Sequence, residues 1–378
     1  MREEQKVPKN RMFDAYLVLF AIVAAQTGIG LAVFQRFVYM HVQQDAWFAV
    51  ILASLYVHIT VYVIVKTLQR YKDKDIYDIH RFVFGKWLGA ALNFILILYG
   101  LYAVLMVTVT YYEILATYMF PEIPGWFVSG IMLILCIYAI FGGIRVLMGI
   151  CFFSVIMATS ILVVLYQLYQ YFDVQNFFPM FEAPPQNYLK AVYEMSLSLA
   201  GFELLYFYFP YVKQKEQVQS YGQIGAFITN LQFLYLMILA IGFFGGQELI
   251  KSAWPTLSMF KVVRFPFLEQ YQVVVLGIFM IALLPILALY LWSLTKGMKK
   301  QLPITQKQSL YAACGIIFII SLLFKTRTQI YNTGTVFNKV AFYMAFVYPY
   351  ILFVASFIID KIKNRKSKQN GQARQKNL

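Results

Sequence analysis

Gln26-Thr27-Gly28-Ile29-Gly30 sits in the middle of an apolar stretch, Phe13–Tyr39, that is otherwise long enough to cross a membrane. A second such stretch, Ala191–Pro210, is interrupted by Ala200-Gly201-Phe202-Glu203, which puts a carboxylate at membrane depth. Glycine weakens a helix by about 1 kcal/mol relative to alanine, and Gln26 and Thr27 can bond backbone groups that an opened helix releases. The half-helix beyond such a break presents unpaired N–H groups and the positive end of its dipole, a suitable partner for a carboxylate. The competing reading of Gly28 and Gly30 is a small-residue patch that lets helices pack closely.

The rest of the chain fits lipid as its main solvent. Of 378 residues, 61% are hydrophobic, 18% aromatic and only 13% charged, whereas soluble domains carry about 25% charged residues. Charge-poor segments near 20 residues recur, each able to span roughly 30 Å of hydrocarbon as a helix. Ten are read: 14–38, 46–65, 87–118, 125–144, 147–171, 191–211, 221–246, 271–295, 308–324 and 340–359. The interrupted ones are the first and the sixth. Five spans separate equivalent points, so the second half enters the membrane from the opposite side, as an inverted repeat requires. Interruptions at matching places in two halves point to a transporter-type substrate site.

This layout gives a cytoplasmic segment 1–12, a single membrane domain 13–360 with repeats over 13–172 and 190–360, and a basic tail 361–378. The polar start, Met1–Asn10, is not that of a cleavable signal peptide. About three-quarters of the 32 Lys and Arg fall on the termini and the even-numbered loops, which places both termini in the cytoplasm by the positive-inside rule. The formal charge of +15 then concentrates against anionic lipid headgroups and needs no nucleic acid.

In each half a long connection joins the second span to the third. Lys66–Lys86 contains an amphipathic helix over Ile76–Phe84, and Gln247–Gln270 is expected at the interface or folded over a cavity. Pro285 and Pro349 should kink spans eight and ten.

Glu203 lies ~18 Å into its span at 1.5 Å per residue. An ionisable residue there faces a cavity or a partner: a ligand ammonium, a proton, or unwound backbone that it braces. Elsewhere, Arg36 and Glu113 could pair, although an Arg36 that snorkels to the interface is the simpler reading. His58 and Asn93 fit helix–helix hydrogen bonds. His41, His58 and His80 lack metal-ligand spacing. Cys136, Cys151 and Cys314 belong to no motif, and no phosphate-binding loop, nucleophile elbow or cofactor motif is present. An enzyme is not expected.

The chain resembles the B subunit of spore germinant receptors, the endospore germination permeases of the amino acid–polyamine–organocation transporter superfamily. The resemblance covers residues 10 to 362. It rests on Gly28-Ile29-Gly30 followed by Arg36, on Ala200–Glu203 ending in Phe209-Pro210, and on Ala253-Trp254-Pro255-Thr256 with Phe265-Pro266-Phe267-Leu268-Glu269. Gln35, Val109 and Gln270 depart from the family pattern, which commonly has Pro before Arg36 and Arg at the other two places.

The resemblance implies an all-α, leucine-transporter-like 5+5 fold with discontinuous helices 1 and 6. It implies a nutrient germinant sensor in the spore inner membrane, partnered by an A subunit and a lipoprotein C subunit. An amino-acid-like ligand is then expected between Gln26, Thr27, Gly28, Ile29 and Gly30 on one side and Leu199, Ala200, Gly201, Phe202 and Glu203 on the other, with Phe202 as a wall. A proton-coupled amino acid permease and a ligand-opened channel are the alternatives. Proton-driven relatives often carry Lys in span five, and Val146–Tyr171 has no Lys, Arg, Asp or Glu.

Overall fold

The computed structural model describes residues 7–265 and 271–376, with side chains through residue 362. The motif residues Pro266-Phe267-Leu268-Glu269 and the neighbouring Gln270 lie outside the described residues. Helices in chain order are α1 (Leu17–Gln26), α2 (Gly30–Val42), α3 (Ala46–Tyr71), α4 (Ile76–Tyr118), α5 (Gly125–Phe141), α6 (Gly143–Val164), α7 (Pro185–Ser198), α8 (Leu205–Tyr208), α9 (Val218–Phe244), α10 (Gly246–Lys251), α11 (Pro255–Phe260), α12 (Tyr271–Gln301), α13 (Gln306–Ser321), α14 (Arg327–Phe342) and α15 (Tyr348–Lys376). Among the described residues there is no β-strand. A parallel bridge joins Phe13 to Val212.

Six continuous helical stretches among the described residues are long and apolar enough to cross a membrane. One of them, Gly30–Tyr71, contains both α2 and α3. The first and sixth expected spans are each split into short pieces, and α5 and α13 are compact helices of 17 and 16 residues. The bundle is thus all-helical, with every expected span represented by helix.

Local chemistry explains the ends. Asp75 caps α4 by accepting from Asp78 N at 3.2 Å, and Gly85, at φ 81°, separates the short helix Ile76–Phe84 from the membrane-length remainder. A capping box of Thr305 and Gln308 starts α13, and one of Thr326 and Gln329 starts α14. Each satisfies orphan N–H groups at a helix start.

The tenth span differs from its expected limits of 340–359. Its helix starts at Arg327, and Tyr102 of α4 donates to Thr333 O at 2.7 Å while Tyr99 stacks on Phe337. These contacts set Thr333–Phe337 beside the middle of α4. A hydropathy window misses the stretch because its polar residues Tyr331, Thr335, Asn338 and Lys339 lie on the side that lines a cavity. A π-helical turn, Tyr343–Val347, joins α14 to α15 directly before Pro349. The wider turn relieves the crowding and the missing donor that proline brings. Pro285 lies inside α12, which continues through it.

The end of the bundle that holds the chain termini is closely tied. Phe13 N donates to Tyr211 O at 2.9 Å and Lys213 N to Phe13 O at 3.0 Å, so the start of the first span and the end of the sixth share backbone bonds. Asp75 meets Lys300 at 2.7 Å and Lys296 at 3.4 Å, and Lys300 also reaches Asp78 at 2.6 Å. Tyr77 OH donates to Ser293 O at 3.1 Å. Burial pushes the Asp75 carboxyl up, but the charges of Lys296 and Lys300 outweigh it and hold the group below the ordinary carboxylate value.

Candidate functional site

The first break begins where α1 runs out of hydrogen bonds. Thr27 turns its side chain back to Val23 O at 2.8 Å, and its own amide bonds the same carbonyl at 2.9 Å. The backbone amides of Gly28, Ile29 and Gly30 then find no hydrogen-bond partner among the described residues, and α2 starts at Gly30. The two glycines do different work. A Cβ at Gly28 would meet Ile286 at 3.4 Å, an ordinary contact, so a methyl group would be tolerated here. One at Gly30 would lie 2.8 Å from Ser198 Cα, so here the missing side chain brings α2 against α7. Opening and close packing, the two readings of this motif, sit two residues apart.

The second break meets the first. Leu199 O accepts from Gln26 Nε2 at 2.8 Å, which ties the end of α1 to the end of α7. Gly201 has φ 127°, and a Cβ there would come within 2.4 Å of Ala25 O. Only glycine suits both demands. Glu203 folds back so that Oε2 accepts Gly201 N–H at 2.7 Å, while Oε1 accepts Tyr99 OH at 2.8 Å and Tyr290 OH at 2.5 Å. The carboxylate is 5% exposed, and these bonds occupy both of its oxygens, which is what a buried anion requires.

A cavity of about 490 Å³ lies against the two breaks. Of the expected ligand residues, Gln26, Gly28, Ile29, Gly30 and Ala200 line it. Thr27, Leu199, Gly201, Phe202 and Glu203 stand behind that lining. Phe202 is fully buried and packs edge-on against Phe346 with ring centroids 5.1 Å apart, away from the cavity surface. Gln26 Oε1 is buried without a hydrogen-bond partner, although the residue is 1% exposed. A smaller cavity of about 260 Å³, between Phe13, Arg145 and Lys213, lies away from both breaks.

Other lining residues were not legible as site residues. Tyr99 of α4 and Tyr290 and Ile286 of α12 reach the cavity from unbroken helices, where no local pattern marks them. Glu194 carries a local signal, a second carboxylate inside the sixth apolar stretch beside Glu203. Glu113 pairs with Arg327 at 3.1 Å, not with Arg36. The start of α14 lies beside the end of α4, and Arg36 lines the cavity with its Nε unbonded. Trp254 lines the cavity, and Thr256 links the loop to α2 through Leu31 O at 2.7 Å and Gln35 at 2.5 Å.

His58 bonds Gln223 of α9, and Asn93 bonds His80 and Tyr77 O. No group of three or more His, Cys, Asp or Glu among the described residues is placed to hold a metal.

Two helices broken opposite each other beside a central cavity define a transporter-type bundle, and solved structures agree. The chain is similar to MhsT in complex with L-phenylalanine, with a TM-score of 0.61 at 14% identity over 92% of this chain and 88% of that one. It is also similar to Mhp1, a nucleobase-cation-symport-1 family transporter in a closed conformation with bromovinylhydantoin bound, with a TM-score of 0.62 at 12% identity over 91% and 80%. These likenesses show the leucine-transporter fold. Within that class the chain belongs to the spore germination protein family, whose model matches residues 13–330. It is 31% identical over 362 residues to spore germination protein GerQB of Bacillus cereus, covering 96% of this chain and all of that one. It is 21% identical to spore germination protein YndE of Bacillus subtilis (strain 168), covering 82% and 87%.

Proposed function

We propose that the chain is the nutrient-sensing membrane subunit of a spore germination receptor and that its germinant is an amino-acid-like small molecule. One observation carries this reading. The amides of Gly28, Ile29 and Gly30 are unpaired at the positive end of a 13-residue helix, on a cavity whose opposite side is Ala200. Such a terminus is a ready anion site, and Gln26 Oε1 beside it is a free acceptor for a donor on the same ligand. Binding would draw the two broken helices together beneath Trp254 and alter the face offered to A and C partner subunits. The related two halves, a spore inner-membrane location, cytoplasmic termini and a lipid-facing basic tail complete the proposal.

Transport is the second reading, favoured by the fold shared with MhsT and Mhp1. Two features weigh toward sensing: α6 carries no titratable lysine, and the oxygens of Glu203 are already engaged. Purified protein in liposomes should not accumulate labelled amino acids under a proton gradient; robust accumulation by the chain alone would make it a permease. Gly28→Leu, which puts a bulky side chain on the cavity lining beside Ile286, should abolish the germinant response of spores while the protein remains in the membrane. A normal response would remove this cavity from consideration.

A further inference from the structure

The charges on the cavity lining single out Glu194. Glu113 is engaged by Arg327. Glu203 is behind the lining, with its oxygens held by Gly201, Tyr99 and Tyr290. Glu194 of α7 faces the cavity, is half-buried, and has no hydrogen bond or ion pair among the described residues. A carboxylate drawn partly out of water without a cation is costly, and here nothing in the protein offsets that cost. Arg36, half-buried with its Nε unbonded, lines the same cavity and also has no ion-pair partner among the described residues. The lining therefore holds unmet charge of both signs, which one dipolar molecule can satisfy.

Its spacing follows from the helices. Ser198 is the residue of α7 that meets Gly30, and Glu194 lies four residues before it on the same helix. That is about one turn, ~6 Å along the axis, so the two residues share a face of α7. The anion site of Gly28–Gly30 and the Glu194 carboxylate thus lie on one cavity surface, about one helical turn apart.

We propose that Glu194 is the specificity-determining residue of this site, binding a cationic or donor group of the germinant that is separated from its carboxylate by about one helical turn. The favoured class is a small zwitterion with its positive group at the far end of a short chain, rather than one defined only by adjacent α-ammonium and α-carboxylate groups. This rests on the cavity being the germinant site, and the test separates the two statements.

The purified full-length chain in lipid nanodiscs is titrated with glycine, 4-aminobutyrate, 5-aminopentanoate and amine-free pentanoate, with binding read by thermal shift and by calorimetry. The wild type should prefer 5-aminopentanoate and 4-aminobutyrate over both glycine and pentanoate. Glu194→Gln should lose about tenfold in affinity for the two long amines, the size expected for a charge-assisted bond, with pentanoate unchanged. Glu194→Asp should recover part of the loss, and Gly28→Leu should remove binding of every probe. An amine preference that survives Glu194→Gln overturns the role of Glu194 while leaving the site in place. Binding that is indifferent to Gly28→Leu overturns the site itself. A wild type that ignores the long amines, or favours glycine, overturns the ligand class.

Discussion

The two ends of the bundle differ in how completely their polar groups are paired. At the end that holds the termini, the backbone of Phe13 is bonded to Tyr211 and Lys213, Asp14 meets Lys213 at 3.2 Å, and Asp75, Asp78, Lys296 and Lys300 neutralise one another. At the cavity end, the half-buried Glu194 and Arg36 have no ion-pair partner among the described residues, and Gln26 Oε1 and Trp254 Nε1 are buried and unbonded. Polar groups withdrawn from water and left unmet are costly, and the proposed site lies where the unpaired charges gather. One end is held by ion pairs and backbone bonds, and the other carries the unpaired charges.

The largest way to break this contrast is at the junction of the two breaks. Gly201→Val combines a φ of 127°, worth about 1–3 kcal/mol of strain in a non-glycine residue, with a side chain driven into Ala25 O. The folded protein should be lost from detergent extracts, as read by size-exclusion chromatography. A monodisperse peak at wild-type yield would show that the junction is not tight.

Next is Glu203→Gln, which removes the charge behind its bonds to Tyr99, Tyr290 and Gly201. A stability loss of about 1–3 kcal/mol is expected, visible as a lower Tm without germinant present. If Tm holds while germinant sensitivity falls, Glu203 is a ligand contact and not a brace.

The smallest effect concerns the closed end and acid. The Asp75 carboxyl is held below its unfolded value of about 4. Its contribution is therefore complete above that value and lost as pH falls through the lower, folded one. Tm should decline on acidification below about pH 4, and Asp75→Asn should start lower and decline less. Parallel pH profiles for wild type and variant would remove Asp75 from the acid response.

Much of the fold was legible because membrane-length apolar runs and broken helices leave strong local marks. Gly28, Gly201 and the helix over Ile76–Phe84 are of this kind. The helix of the tenth span begins at Arg327, ahead of the apolar stretch 340–359, because α14 is polar on the side that meets the cavity, and hydropathy cannot distinguish a cavity-facing helix from a loop. At the site, sequence located both breaks but not what surrounds them. Tyr99 and Tyr290 come from regular helices, and only packing brings them to Glu203. The Glu113–Arg327 pair joins residues more than 200 positions apart, which no spacing rule could link.

Gly201 and Ala25 approach so closely that not even a methyl group fits between them. The α1 half of the first span and the turn of the sixth therefore meet in a contact with no slack. Neither can tilt without dragging the other, so any rocking motion in this bundle has to carry both as a single lever.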